Sequence, residues 1–185
     1  MIKQGINPYQ QASFSLKNRL ARVFWGVIYL LFFRFSPRPL HGYRAFILKL
    51  FGAKLGKDCH VYPTAKIWAP WNLEMDDNAG LASEVICYNM AKIKIGKKAV
   101  VSQGSHLCTG THDYTDPNFQ LYALPIKIGE QAWLCTECFI SPGVKIGDGA
   151  VIGARSVVTK DIPEWMVCAG MPAKPIKQRV IKDNE

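Results

Sequence analysis

From Leu55 onward an aliphatic residue recurs at every sixth position. The first block runs Leu55, Val61, Ile67, Leu73, a weaker Ala79 and Val85; the second Ile95, Val101 and Leu107; the third Ile128, Leu134, Ile140, Ile146, Ile152 and Val158. In the third block the residue two places before each marker is Ile126, Ala132, Cys138, Val144, Ala150 or Ser156, mostly small, and glycine directly follows Ile128, Ile146 and Ile152. A period of six is neither the 3.6 of an amphipathic helix nor the two of a half-buried strand. It fits a parallel β-helix in which each hexapeptide makes one flat face, with a short strand, a turn and one aliphatic side chain pointing inward. Three faces close a coil of about eighteen residues, and stacked coils bury a continuous aliphatic ladder. The expected fold is therefore all-β over residues 54–162, with small residues at the tight corners.

The ladder breaks twice. Val85 to Ile95 is a step of ten residues, and Leu107 to Ile128 a step of twenty-one. The second gap holds HDYTDPN (112–118), rich in turn formers, so a loop over about residues 112–125 is expected to leave the coil. Loops extruded from a rigid scaffold gather binding and catalytic groups, which singles out His112 at the start of this one.

Upstream the pattern changes. VFWGVIYLLFF (Val23–Phe33) is an eleven-residue apolar run between Arg22 and Arg34, short of the roughly 20 residues that span a bilayer. RFSPRPL follows it without a small-residue cleavage site, so a signal peptide does not fit. The spacing predicts a helix from an N-cap at Ser15 to about Phe35, a break at SPRPL, and a second short helix ending at Gly52. Residues 1–53 thus form a basic, apolar helical segment, and 163–185 an extended or helical tail.

Charge sharpens this division. The net +9 invites a nucleic-acid reading, but residues 1–57 carry ten Lys and Arg and no acidic residue, while the remainder carries thirteen basic against fourteen acidic residues. The basic segment has no recognised nucleic-acid module, and its aromatics cluster in an apolar run. It is expected either to cap the β-helix or to lie on an anionic membrane. The six scattered cysteines suit a reduced compartment, and the single C-x-x-C at Cys135 and Cys138 lacks the second pair of a zinc ribbon.

Taken together, the repeat, CTGTHDYTDP (108–117) and IGARSVVTKDIPEWMVCAGMPAKPIKQR (152–179) resemble the hexapeptide-repeat acyltransferases. SFSLKNRLARVFW (13–25), SPRPLHGYRAFILKLFGAKLG (36–56) and IWAPWNLEM (67–75) look most like the colanic acid biosynthesis acetyltransferase group of sugar O-acetyltransferases. The resemblance implies a left-handed coil, against the general right-handed preference of parallel crossovers. It further implies a homotrimer with active sites between subunits, acetyl-CoA as cosubstrate in the groove between neighbours, and no metal. His112 falls on the family's catalytic histidine, and Thr136 on the position whose backbone N–H faces the thioester. Ala154, Thr159 and Lys160 match positions lining the pantetheine and nucleotide groove, and Lys174 and Lys177 match basic positions near the adenosine phosphate end. The acceptor would be a sugar or lipid-linked saccharide. Cys135 departs from the family's usual Gly or Ala, and the acceptor-binding asparagine of galactoside acetyltransferases aligns near Ala82, which leaves Asn89 and Asp113 as substitutes. The same resemblance suggests exopolysaccharide assembly in the cytoplasm, peripheral to the inner face of the bacterial membrane through residues 1–57.

The chemistry suits those residue types. A sugar hydroxyl is a weak nucleophile, so a base must remove its proton as attack begins, and imidazole titrates near working pH. Negative charge developing on the thioester oxygen is met by a fixed backbone N–H. Two rival readings remain at this stage. One is a metal-dependent enzyme like the β-helix carbonic anhydrases, built on His106 and His112. It needs a third ligand, and only His41 and His60 are left. The other is a non-enzymatic scaffold docked through its basic N-terminus. Cys108, beside the inward Leu107, reads as a buried thiol rather than a nucleophile.

Overall fold

In a computed structural model describing residues 2–3 and 5–182, the repeat region winds into a prism with three parallel sheets as its faces. The first face stacks 54–55, 73–75, 93–95, 126–128 and 145–146; the second 60–61, 80–81, 100–101, 133–134, 151–152 and 166–170; the third 66–67, 86–88, 106–108, 139–140 and 157–158. Inward residues sit directly above one another. Val61, Leu81, Val101, Leu134, Ile152 and Cys168 form the ladder of the second face, and Ile67, Cys87, Leu107, Ile140 and Val158 that of the third. All but Ile67 are fully buried, and burial of such apolar area is the dominant stabilising term.

The corners are tight, and one edge shows how they are held. Asp58, Asn78, Lys98 and Gln131 take positive φ there, a conformation that disfavours L-residues by about 1–2 kcal/mol each. It is repeated because the N–H of Asn78, Lys98 and Gln131 donates to Lys57, Asp77 and Lys97 of the coil below, at 2.8–2.9 Å. Each bond satisfies a backbone group that the turn would otherwise leave unpaired.

The second coil differs from the sequence expectation. Leu55, Val61 and Ile67 lie in register with Met75, Leu81 and Cys87, not with Leu73, Ala79 and Val85. The single ten-residue step is therefore two eight-residue steps, Ile67 to Met75 and Cys87 to Ile95. Both sets of side chains in this coil are buried, so hydrophobicity alone does not distinguish the phases. The extra residues form a 3₁₀ turn at Pro70–Asn72 and a bulge at Asn89–Ala91, stacked on the edge between the third and first faces. The larger insertion after Cys108 leaves from the same edge.

Helix α1 (Leu16–Ile28) starts where expected, with the Ser15 hydroxyl accepting from the Asn18 N–H at 3.3 Å. It continues as a π-helical turn over Tyr29–Phe33. Helix α2 (His41–Leu50) ends just before Gly52 at φ +87. Trp25 and Phe33 from the first segment and Ile47 and Leu48 from the second are buried against the first coils, and the Trp25 indole N–H donates to the Ile67 carbonyl at 2.7 Å. The tail is an antiparallel hairpin, Met166–Gly170 with Ala173–Gln178, extending the second face. Residues 183–185 of the expected tail lie outside the described residues.

Candidate active site

The interrupted edge is built from buried amides and hydroxyls. Asn89 is fully buried, and its side chain accepts from the Ala69 N–H at 2.9 Å and donates to the Ala69 carbonyl at 2.7 Å. Asn72 donates to the Asn89 and Met90 carbonyls, and the buried Thr109 hydroxyl donates to the Tyr88 carbonyl and accepts from the Ala91 N–H. This corrects the expectation for Asn89: its amide is spent holding the insertions together and offers nothing to an acceptor. Such a fully satisfied polar ladder keeps the edge rigid.

Above it the chain leaves as an antiparallel hairpin, Gly110–His112 with Leu121–Ala123. Gly110 lets the side chains of Met90 and Tyr88 close over its base, since a Cβ there would lie 2.6 Å from Met90 Sδ and 3.3 Å from Tyr88 Cε1. The tip is two side-chain-capped turns in series. The Asp113 carboxylate accepts from the Thr115 N–H and hydroxyl at 2.9 and 2.6 Å, and Asp116 accepts from the Asn118 N–H at 2.8 Å. The Thr115 hydroxyl, and then its N–H, hold the Asp113 carboxyl below its ordinary pKa. The Asp113 oxygen that bonds Thr115 thus shapes the tip.

His112 ends the outgoing strand with its Nδ1 2.8 Å from the Phe119 carbonyl. A carbonyl can only accept, so Nδ1 carries a proton, and in the neutral form of an imidazole held this way Nε2 is the nitrogen left to accept. The ring also stacks on Phe119, with centroids 4.3 Å apart and planes at 12°. Phe119 reaches this position at φ +50, a strained conformation for a non-glycine residue. Phe119 therefore positions the imidazole twice over, through its carbonyl and its ring. Sequence reading missed it because nothing in the motif marks a phenylalanine seven residues away as a partner.

The remaining candidates fall in two places. Thr136 and Ala154 stack on the edge between the second and third faces, with the Arg155 N–H donating to the Thr136 carbonyl at 2.9 Å. The Thr136 N–H has no acceptor among the described residues. Thr159, Lys160 and Lys174 line one cavity of about 270 Å³ closed by Pro163, Pro172 and Pro175, whereas Lys177 is exposed on the outer strand. His112 leaves from the edge between the third and first faces, so the third face separates it from Thr136 within one protomer. A single chain does not bring the two together.

His106 lies on the third face between the Phe139 and Tyr88 rings, at centroid distances of 5.2 and 6.4 Å, with Nε2 buried and unpartnered. Burial lowers its pKa, which keeps the ring neutral. Among the described residues no three His, Cys, Asp or Glu side chains gather as a ligand set, and the rings of His41 and His60 pair at 4.8 Å beside α2.

The cysteines are all free. Burial pushes the Cys87 thiol up to about 12 and Cys138 up to about 11, and raises Cys108 and Cys135 as well. At 12 against an ordinary 9.0, Cys87 holds about a thousandfold less thiolate than a free thiol. Native protein treated with iodoacetamide near neutral pH should label only Cys108 and Cys135, and slowly, with the other four appearing after denaturation by peptide mass spectrometry. Rapid modification of Cys108 would restore it as a nucleophile.

Residues 125–160 match the family described as "Bacterial transferase hexapeptide (six repeats)". Over 156 residues, 84% of this chain and 86% of the relative, the sequence is 47% identical to the Escherichia coli (strain K12) protein named "Putative colanic acid biosynthesis acetyltransferase WcaF". This chain belongs to the hexapeptide-repeat acetyltransferases. A maltose O-acetyltransferase from Clostridium difficile 630 superimposes with TM-score 0.81 at 28% identity, over 90% of each chain. A hexapeptide-repeat acetyltransferase from Vibrio cholerae O1 biovar eltor, complexed with acetyl-CoA, shares the fold with TM-score 0.80 at 22% identity, over 90% of this chain and 91% of that one. The prism is accordingly the left-handed β-helix of these acetyltransferases, an enzyme scaffold whose members are typically trimeric.

Proposed function

We propose that this hexapeptide-repeat acetyltransferase moves an acetyl group from acetyl-CoA to a hydroxyl of a sugar or lipid-linked saccharide in exopolysaccharide assembly. His112 acts as general base. The observation that carries the reading is the imidazole at the end of the hairpin's outgoing strand, with Nδ1–H committed to the Phe119 carbonyl and Nε2 free. Bound acetyl-CoA supplies an activated thioester carbonyl. Nε2 takes the proton of the attacking hydroxyl, and the resulting imidazolium returns it to the departing sulfur. The unpaired Thr136 N–H meets the charge that develops on the carbonyl oxygen. Lys160 and Lys174, in one cavity with Thr159, supply cations for the phosphates of CoA.

A trimer is the natural assembly for this site. The outward positions of the first face are charged (Lys54, Glu74, Lys94, Lys127, Lys145), whereas the second and third faces turn out Val100, Trp133, Val151, Ile86, Phe139 and Val157. Apolar faces flanking the edges of Thr136 and His112 suit contact with neighbouring copies. In that arrangement one subunit's His112 edge closes on the next subunit's Thr136 edge.

Calorimetry should register acetyl-CoA binding to the full chain. Lys160→Ala and Lys174→Ala should each weaken it about tenfold, the scale of one charge-assisted contact. Mass spectrometry of a panel of nucleotide sugars and lipid-linked oligosaccharides should then reveal an O-acetylated product. Absence of CoA binding would leave the non-enzymatic scaffold as the better reading.

A further inference from the structure

The outer surface of the N-terminal helices is not used by the acetyl-transfer site. Along α1 and the π-turn, Leu16, Leu20, Val23, Val27, Leu30 and Leu31 follow one another at steps of three and four, save the last pair, and are 47–66% exposed. That spacing sets them on one stripe of the helix, opposite the buried Trp25. Phe35 in the connecting turn is 77% exposed, and α2 exposes Tyr43, Phe46 and Leu50 while burying Arg44, Ile47 and Leu48 against the coil. So many exposed large apolar side chains on two helices and their connection mark an interaction surface.

We infer that this layer is an interfacial anchor that lies flat on an anionic lipid bilayer. Charge decides the occupant. Residues 1–57 hold ten cationic side chains and no anionic one. Of these, Arg44 is spent inward on backbone carbonyls, and Arg22 is packed over the Phe14 and Trp68 rings at 5.0 and 4.4 Å. Lys17, Arg19, Arg34, Arg38 and Lys49 are exposed on the same two helices and their connection. Two copies meeting through this surface would set those cations against one another, whereas anionic headgroups neutralise them while the acyl region takes the stripe. The surface is the convex side of a helix, which suits a deformable plane. No described helix is long and apolar enough to cross a membrane, so the contact is peripheral. The inference stands apart from the proposed chemistry, because its readout needs no turnover.

Flotation of the full-length protein with vesicles tests it. Phosphatidylcholine vesicles containing about a third phosphatidylglycerol should carry most of the protein upward, and pure phosphatidylcholine at least about tenfold less. High salt should weaken the capture. The combined variant Leu20→Asp, Val23→Asp and Leu31→Asp should lose flotation while binding acetyl-CoA as the parent does. Lys17→Gln with Arg19→Gln and Arg34→Gln should remove the preference for the anionic lipid. Flotation indifferent to phosphatidylglycerol, or retained by the aspartate variant, would overturn the inference. So would a lipid-free assembly larger than a trimer that the aspartate substitutions dissociate, since the stripe would then be covered by another copy.

Discussion

Replacing His112 with alanine should lower acetyl transfer by about two to four orders of magnitude, the usual contribution of a general base, with acetyl-CoA affinity nearly unchanged. The split follows from the geometry. The imidazole sits on the hairpin, away from the cavity of Thr159, Lys160 and Lys174, so its loss removes proton transfer and not the cationic contacts. Phe119→Ala provides the companion measurement. It removes the ring stacked at 4.3 Å but keeps the carbonyl that fixes Nδ1–H. It should therefore reduce kcat by less than His112→Ala, with KM for acetyl-CoA little altered. Equal activity of His112→Ala and the parent in a transfer assay would remove His112 from the mechanism.

The largest effect on stability is expected at Arg44. Its side chain is fully buried without a carboxylate partner among the described residues. Nε donates to the Val61 carbonyl at 2.6 Å, Nη1 to the Pro37 carbonyl and the Ser36 hydroxyl at 2.8 and 2.9 Å, and Nη2 to the Arg38 carbonyl at 2.6 Å. One guanidinium thus ties α2, the Ser36–Arg38 turn and the first coil together. Burial lowers its pKa, but arginine starts so far above neutrality that it stays charged. Arg44→Ala would leave a cavity under α2 and remove one buried and three part-buried bonds, and should destabilise the fold by about 3–5 kcal/mol, the scale of truncating a large buried side chain together with its hydrogen bonds. Thermal unfolding by circular dichroism should register a fall in Tm of about 10 °C. Arg44→Lys should recover little, because an ammonium cannot reproduce the planar fork. A variant melting within 2–3 °C of the parent, a shift of about 1 kcal/mol, would show that the turn and helix find other partners.

Much of this architecture was legible along the chain. From Ile128 to Val158 the period of six marks the inward ladder residue by residue, because one aliphatic side chain per face is the condition for filling a narrow prism. The second coil was not legible to the same degree. Leu73 and Met75, Ala79 and Leu81, and Val85 and Cys87 are all buried pairs, and only the register with neighbouring coils distinguishes them. Asn89 looked available for an acceptor because its sequence position says nothing of Ala69, whose two backbone groups it satisfies twenty residues away.

What the sequence determined by itself was the repeat, its breaks, the basic apolar N-terminal segment and the histidine at the major interruption. These are properties of spacing and composition, and spacing follows from geometry that every coil shares. Tertiary structure alone decided which edge collects the insertions, which carbonyl orients the His112 ring, and that His112 and Thr136 stand on different edges of one prism. Those relations join residues distant along the chain through stacking and hydrogen bonds, so no local pattern encodes them.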